Sequence, residues 1–243
     1  MRIILGVDTS TSTASTAIVN SGQIVAEDFY PRQRKAGRSA PKANHSEIIL
    51  PLVDSVLKRA GIGLLDVAGI AVSVGPGSFT GIRIGLSTVK GLVYGTDIPA
   101  FGISTLQASA ARVTNFEGIV CSLLDARKNE AYSALFHKHG NHLDRLTEDE
   151  IIPVPRVCER LRAFGEPCLF IGDGVTPYRA LIEQLPELQV HIAEEDAMVS
   201  VAASVARLSE SHFVDNRAAL LGDLVPIYLR RPECESRMRV ARK

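Results

Sequence analysis

The sequence predicts an α/β protein with two halves of about 110 residues each, both built on a sheet. Short apolar runs with the length of buried strands alternate with segments whose apolar residues recur at helical spacing. Both halves also follow the order strands, helix, strand, helix, and a parallel strand after a helix requires a crossover that packs on a sheet. We therefore expect an N-terminal subdomain at residues 1–104, a C-terminal subdomain at 105–230, and a charged, disordered tail at 231–243.

The N-terminal half opens on three strands with short connections, which predicts an antiparallel start to its sheet. The second and third are joined by Asn20-Ser21-Gly22, a hairpin signal. Apolar spacing then predicts a helix that ends at Ala60, with its regular part beginning near Pro51, because proline fits best in a first turn. A buried strand and a helix from near Gly81 follow. The predicted strands are residues 3–7, 14–19, 23–30 and 67–74.

The C-terminal half repeats this order without evident sequence identity to the first. A polar turn, Asp125-Ala126-Arg127-Lys128, separates its first two strands. The last predicted helix is rich in alanine. The strands are expected at residues 119–124, 131–137 and 168–171, and the helices at 155–164, 176–184 and 198–211.

Composition excludes several classes of protein. Lysine and arginine number 27, as do aspartate and glutamate, so there is no global drive toward nucleic acid or membrane. The cysteines have no metal-ligand spacing, which predicts reduced thiols. No apolar run approaches the roughly 20 residues that cross a bilayer, and the N-terminus lacks a leader pattern. We expect a cytoplasmic protein without membrane association.

A turn of Asp8, Thr9 and Ser10 follows the first strand. A strand ending in aspartate and small hydroxyl residues resembles the first phosphate loop of the actin, sugar-kinase and Hsp70 ATPase superfamily, where a glycine lets backbone amides approach phosphate. Here Ser10 replaces that glycine. The three residues are therefore a candidate, degenerate nucleotide contact, and the alternative is a polar turn in which Asp8 binds nearby amides.

The most distinctive segment is residues 73–95, with the sequence SVGPGSFTGIRIGLSTVKGLVYG. Gly75 and Gly77 suit a turn with positive φ, and Thr80 is placed to cap the following helix. Gly85 lies inside that helix, where glycine costs about 0.5–1 kcal/mol relative to alanine. Close approach of another backbone would compensate, whether from this chain, a ligand loop or a second protein. The helix is apolar nearly all round, which indicates a second apolar neighbour or an internal position.

Other candidate sites are weaker. The six histidines form no HxxxH or HExxH pair, which excludes a helix-borne metal site of that type and leaves no metal ligands to predict. Charges at 125–132 indicate either a pocket or, more commonly, a solvated hairpin tip. The basic segment 31–44 lacks aromatic residues, so a solvated loop is favoured over an RNA contact.

Taken together, several segments resemble the TsaB (YeaZ) family, a subunit of the bacterial machinery that makes threonylcarbamoyladenosine in tRNA. They span almost the whole chain, and the SVGPGSFTGIRIGL block is the most specific of them. The matching segments are 4–11 (ILGVDTST), 45–47 (HSE), 72–94 (VSVGPGSFTGIRIGLSTVKGLVY), 125–132 (DARKNEAY), 172–174 (GDG) and 226–230 (PIYLR).

The resemblance implies an ASKHA-type fold of two related subdomains and a function as partner of the catalytic paralogue TsaD, in an assembly that includes the ATPase TsaE. TsaD modifies adenosine 37 of tRNAs that read codons beginning with A, through a site that depends on an HxxxH pair. This chain has His45 but Ile49 four residues later, so no catalytic residues are implied. The resemblance further implies no intrinsic cofactor, ATP or ADP only in the complex, and a homodimer when TsaD is absent. It leaves open any direct contact with tRNA.

In the family, the helices after HSE and after GPGSFTG form the face that joins TsaD or a second copy. Gly81 and Gly85 would let the partner's helix approach, and we expect Ile82→Glu or Gly85→Arg to abolish the complex without unfolding the chain. Carried onto this sequence, the face comprises Leu52, Val56, Gly81, Ile82, Gly85, Leu86, Val89 and Val93.

Two enzyme classes compete with this interpretation. A small-molecule kinase or acyltransferase of the same superfamily would use Asp8 and the 75–81 turn. A metallopeptidase is more distant, because the metal ligands are lacking.

Overall fold

The computed structural model describes residues 2–30, 44–185, 189–194, 200–214 and 222–230. The segment 31–43, predicted as a basic loop, and the predicted tail at 231–243 lie outside the described residues.

The N-terminal sheet has five strands in the order β3-β2-β1-β4-β5. The first three form an antiparallel meander, and the last two run parallel to the first. The central strand is buried along nearly its whole length, as a strand covered on both faces must be. The strands are β1 (Ile3–Asp8), β2 (Ala14–Asn20), β3 (Gln23–Tyr30), β4 (Gly69–Gly75) and β5 (Ala100–Ser104).

The C-terminal sheet repeats this plan, with the order β11-β10-β6-β7-β8 and β9 paired with the other end of β7. Its first strand is again central, followed by an antiparallel partner and then by parallel strands. The prediction of two related α/β subdomains is confirmed. The strands are β6 (Gly118–Asp125), β7 (Glu130–His139), β8 (His142–Arg145), β9 (Glu150–Pro153), β10 (Cys168–Ile171) and β11 (Val190–Ile192).

Helices cover both faces of the N-terminal sheet. Alternate residues of β1 point to opposite faces, so that Leu5 and Val7 pack with the first two helices while Ile4 packs with the last helix. The helices are α1 (His45–Ala60), α2 (Phe79–Val93), α3 (Thr105–Ala110), α4 (Val154–Arg162), α5 (Val175–Glu183) and α6 (Val201–Val214).

Helix α1 begins at His45, well before the predicted start near Pro51. Pro51 lies in the second turn on the exposed side of the helix, where water can satisfy the carbonyl that proline leaves without a donor. The helix ends as predicted at Ala60, because Gly61 takes the left-handed conformation (φ 69°) that closes a helix.

Helix α6 packs on the N-terminal sheet, not within the C-terminal half in which the sequence prediction places it. Val205 and Ala206 join the cluster that contains Ile4. The contact is so close that a Cβ on Gly6 would overlap the carbonyl oxygen of Ala202. Helix α6 therefore completes the core of the N-terminal sheet, about 200 residues after β1.

Candidate functional site

A cleft of about 680 Å³ lies between the two subdomains. It is lined by the β1–β2 turn, the starts of α1 and α2, the β6–β7 hairpin, the turn after β10, and the segment 227–230. The lining residues are Ser10, Thr11, Ser12, His45, Pro76, Gly77, Ser78, Phe79, Thr80, Leu124, Asp125, Ala126, Arg127, Tyr132, Asp173, Ile227, Tyr228, Leu229 and Arg230.

Beneath the cleft, Asp8 ends β1 with no exposed surface. Its Oδ1 accepts hydrogen bonds from the backbone N–H of Ser10 (3.2 Å) and from the Ser10 hydroxyl (2.5 Å). Oδ2 has no hydrogen-bond partner among the described residues. Burial raises the pKa of Asp8, and the bonds from Ser10 offset part of the rise. Of the three residues predicted to contact a nucleotide, only Ser10 lines the cleft, and that contact stays a prediction.

The β1–β2 turn is fastened to the start of α2. The Thr9 hydroxyl donates to the carbonyl oxygen of Gly81 (2.7 Å), and the backbone N–H of Ser78 donates to the carbonyl oxygen of Ser10 (2.7 Å). The helix cap is Ser78, whose Oγ accepts from the N–H of Gly81 (3.2 Å), instead of the predicted Thr80.

Gly81 and Gly85 of α2 make room for this turn, not for a partner. A Cβ on Gly81 would overlap the carbonyl oxygen of Thr9, and a Cβ on Gly85 would overlap the Thr9 hydroxyl. The prediction that these two glycines admit a partner's helix is therefore wrong, since the space beside them is filled by the same chain.

All eight residues predicted for the partner face are buried inside the monomer. Val56, Ile82, Leu86, Val89 and Val93 belong to the core cluster of the N-terminal sheet, because the apolar side of each helix faces that sheet. As a result, Ile82→Glu or Gly85→Arg would disrupt the core before it tested any interface. The residues concerned are Leu52, Val56, Gly81, Ile82, Gly85, Leu86, Val89 and Val93.

The segment 224–230 joins the two subdomains across the mouth of the cleft. On the N-terminal side, the N–H of Ile227 donates to the carbonyl oxygen of Val74 (2.8 Å). On the C-terminal side, Arg230 donates to the carbonyl oxygen of Ala126 (2.9 Å) and pairs with Glu130. We call this segment the C-terminal strap.

An aromatic and cationic stack holds the middle of the strap. The rings of Tyr228 and Phe79 lie 4.9 Å apart between centroids. The Arg83 guanidinium lies 3.8 Å from the centre of the Phe79 ring and donates to the Tyr228 hydroxyl (2.7 Å). In the sequence, residues 226–230 (PIYLR) stand out only through the family resemblance. Nothing in their local pattern predicts that residues 227–230 line the cleft.

The β6–β7 turn is an exposed hairpin tip, as the commoner interpretation of its charges expected, and it also lines the cleft. Arg127, Lys128 and Asn129 all have positive φ (60°, 55° and 62°). Asp125 accepts from the N–H of Arg127 (2.7 Å), and Asp173 accepts from the N–H of Asp125 (3.2 Å). Both carboxylates therefore hold backbone in place.

His45 lines the cleft, with Nε2 3.5 Å from the carbonyl oxygen of Ser12. Position 49, four residues on, is a buried isoleucine. Among the described residues, no three histidine, cysteine, aspartate or glutamate side chains are grouped as a metal site.

Comparison with known proteins decides the family. The family model described as "TsaD: tRNA N6-adenosine threonylcarbamoyltransferase" matches residues 39–232. The "tRNA threonylcarbamoyladenosine biosynthesis protein TsaB" of Bacillus subtilis (strain 168) is 30% identical over 236 residues, covering 96% of each chain. The chain belongs to the TsaB (YeaZ) family.

Other relatives agree with this assignment. TsaB of Escherichia coli (strain K12) is 28% identical, covering 93% of this chain and 94% of that protein. The structure of YeaZ from Pseudomonas aeruginosa superposes with a TM-score of 0.76 at 25% identity, covering 94% of this chain and all of that one. Together with the repeated sheet order, this confirms the ASKHA-type fold.

A partial match extends to a threonylcarbamoyltransferase. The tRNA N6-adenosine threonylcarbamoyltransferase of Symbiobacterium thermophilum is 34% identical over 112 residues, 43% of this TsaB-family chain and 33% of that protein.

In the described part of the chain, no helix is long and apolar enough to cross a membrane.

Proposed function

We propose that this chain is the non-catalytic partner of a TsaD-like subunit in the cytoplasmic formation of N6-threonylcarbamoyladenosine at position 37 of tRNAs reading codons that begin with A. The observation that carries the proposal is similarity to TsaB proteins over nearly the full length of both chains. The match to the TsaD model supports a paralogous pair, in which one member performs the transfer and the other supports it.

The chemistry of the cleft supports a non-catalytic subunit. Asp8 is buried against Ser10, while Asp125 and Asp173 are occupied by backbone amides. A general base must reach a substrate proton within hydrogen-bond distance, whereas Asp8 has no exposed surface and Asp125 and Asp173 already accept backbone N–H groups. His45 has no second histidine one helical turn away, since position 49 is an isoleucine buried in the core.

The outer sides of α1 and α2 are the surface we propose for the partner. These helices lie side by side, and their inner sides are buried against the sheet. Leu50 and Tyr94 are exposed large apolar residues on or next to them, and Ile84 is partly exposed. Two helix faces of this length suit an interface of about 800 Å² per partner. Two copies would pair through the same surface when the TsaD-like subunit is absent.

Reconstitution tests the function. We expect a TsaD-like subunit with its TsaE-like ATPase to modify tRNA only when this chain is present, and this chain alone to give no product. ATP or ADP would then bind within the complex. Product formation at an equal rate without this chain would contradict the proposal.

Surface variants test the interface. Ile84→Glu and Leu50→Glu should each prevent co-purification with the TsaD-like subunit, because they bury a charge in an apolar contact. Leu181→Glu, an exposed leucine on α5 of the other subdomain, is the matched control. Unchanged far-UV circular dichroism should accompany loss of the complex, and survival of the complex in both variants would refute this surface.

The cleft itself favours a second candidate, a nucleotide-dependent small-molecule kinase or acyltransferase. The volume of the cleft and its lining by the exposed Arg127 would suit an anionic ligand. Titrating ATP with Mg²⁺ into the isolated chain separates the candidates, because stoichiometric binding with turnover would favour the enzyme and refute the partner role.

A further inference from the structure

Three histidines and an aspartate share one face of the β7–β8 hairpin, and none of them lines the cleft. His137 and His139 are two apart on β7, so their side chains leave the same side of the strand. The antiparallel register sets Asp144 opposite His137 and His142 opposite His139. Lys138, between the two histidines, is buried on the other side. The hairpin therefore presents four metal-ligating side chains on one surface.

Two of these side chains already stand at ligand spacing. Nδ1 of His137 is 3.4 Å from Nδ1 of His139. Two imidazole nitrogens bound to one tetrahedral Zn²⁺ at 2.0–2.1 Å would lie about 3.4 Å apart. The Asp144 Oδ2 is 3.6 Å from the same Nδ1 of His139, and the His142 ring stacks on His139 with centroids 5.3 Å apart.

Glu166 fixes the proton of His137 in the way a metal ligand requires. Its Oε2 lies 2.9 Å from Nε2 of His137. A carboxylate only accepts, so Nε2 carries the hydrogen and Nδ1 turns its lone pair toward His139. A ligating histidine ordinarily donates its other N–H to a carboxylate in this manner. The turn of the hairpin is itself held, because the N–H of Gly140 donates to Glu117 (2.8 Å).

We propose that this hairpin binds one divalent transition-metal ion of the zinc class, through Nδ1 of His137, Nδ1 of His139 and the carboxylate of Asp144. Imidazole with carboxylate suits Zn²⁺, and water or His142 completes the coordination. Among the described residues, no three metal-ligating side chains are grouped as a metal site. Binding therefore requires the Asp144 side chain, which is 66% exposed, to rotate toward the ion. The two histidines of β7 are two residues apart, as on one face of a strand, and therefore form no helical HxxxH pattern. The site is independent of the proposed function.

Calorimetric titration of Zn²⁺ into the full-length chain without a histidine tag tests the site, in a Cys234→Ser background that removes the thiol outside the described residues. We expect one equivalent to bind and to raise the thermal midpoint, as a ligand of the native state must. His137→Gln and His139→Gln should each weaken binding at least tenfold. Glu166→Gln should weaken it by about 10–100-fold.

The matched control is His191→Gln, an exposed histidine on β11 outside the hairpin, which should leave the affinity unchanged. Co²⁺ gives a second measurement, because its visible absorption reports nitrogen and oxygen ligands and should vanish in His139→Gln. Absence of one-equivalent binding, or equal weakening by His191→Gln and His137→Gln, would overturn the proposal. Unchanged circular dichroism of each variant excludes misfolding as the cause.

Discussion

Two glycines of α2 should respond in opposite ways to the same substitution. Gly81 lies against the β1–β2 turn, where an added Cβ would overlap the backbone oxygen of Thr9. Gly91, ten residues later, is exposed with no atom within 4 Å of the Cβ position. We expect Gly81→Ala to destabilise the isolated chain and Gly91→Ala to stabilise it.

The magnitudes follow from the contacts. Inserting a methyl group into a packed site costs about 1–3 kcal/mol. Moving the turn away also breaks the bond from the Thr9 hydroxyl to the Gly81 carbonyl, worth about 1 kcal/mol. The helix regains at most about 1 kcal/mol when alanine replaces glycine. The net loss for Gly81→Ala is therefore about 1–3 kcal/mol, while Gly91→Ala keeps only the gain of about 0.5–1 kcal/mol.

Urea unfolding followed by circular dichroism measures both changes. With a slope of about 2–3 kcal/mol/M, Gly81→Ala should lower the midpoint by roughly 0.3–1.5 M. Had the glycines made room for a partner's helix, both variants would stabilise the isolated chain. A Gly81→Ala midpoint at or above that of the wild type would refute the packing argument.

Three further predictions concern buried and bridging groups. Since burial raises the pKa of Asp8, its charge costs stability above the folded pKa and nothing below the unfolded value of 3.8. Asp8→Asn should therefore unfold at higher urea than the wild type at pH 7–8, with the difference shrinking as the pH falls. Burial raises the pKa of the Cys168 thiol to about 11 and also raises that of Cys121, so both should react with a thiol reagent at pH 8 only on unfolding. Arg230→Ala should free the strap from Glu130, costing about 0.5–1 kcal/mol at this partly exposed pair and speeding amide exchange at residues 126–130.

The elements with strong local patterns were predictable from the sequence. Strands β1, β2 and β3 and most helices lie within a few residues of their expected positions, because apolar periodicity and hairpin signals act locally. Strand β5, helix α3, and the short strands β8, β9 and β11 were missed. Their segments are three to six residues long, and their partners across the sheet, not their own pattern, make them strands or helix.

The candidate site was predictable only in part. The Gly75 and Gly77 turn was correctly expected to use positive φ, with observed values of 114° and 152°. The partner face was misplaced because helical periodicity shows which residues are apolar but not which side of the helix a sheet covers. For Gly81 the neighbour is Thr9, 72 residues earlier, and no local pattern announces such a contact.

The return of α6 to the N-terminal sheet has a consequence for synthesis on the ribosome. Strands β1 and β2 leave the exit tunnel early. The face of β1 that contains Ile4 and Gly6 stays uncovered until Ala202 and Val205 of α6 have been synthesised. A nascent chain ending near residue 195 would expose that apolar face to solvent and to chaperones. Premature termination there should yield an aggregation-prone product, although both sheets are already encoded. The core of the N-terminal sheet therefore closes only after α6 has been synthesised.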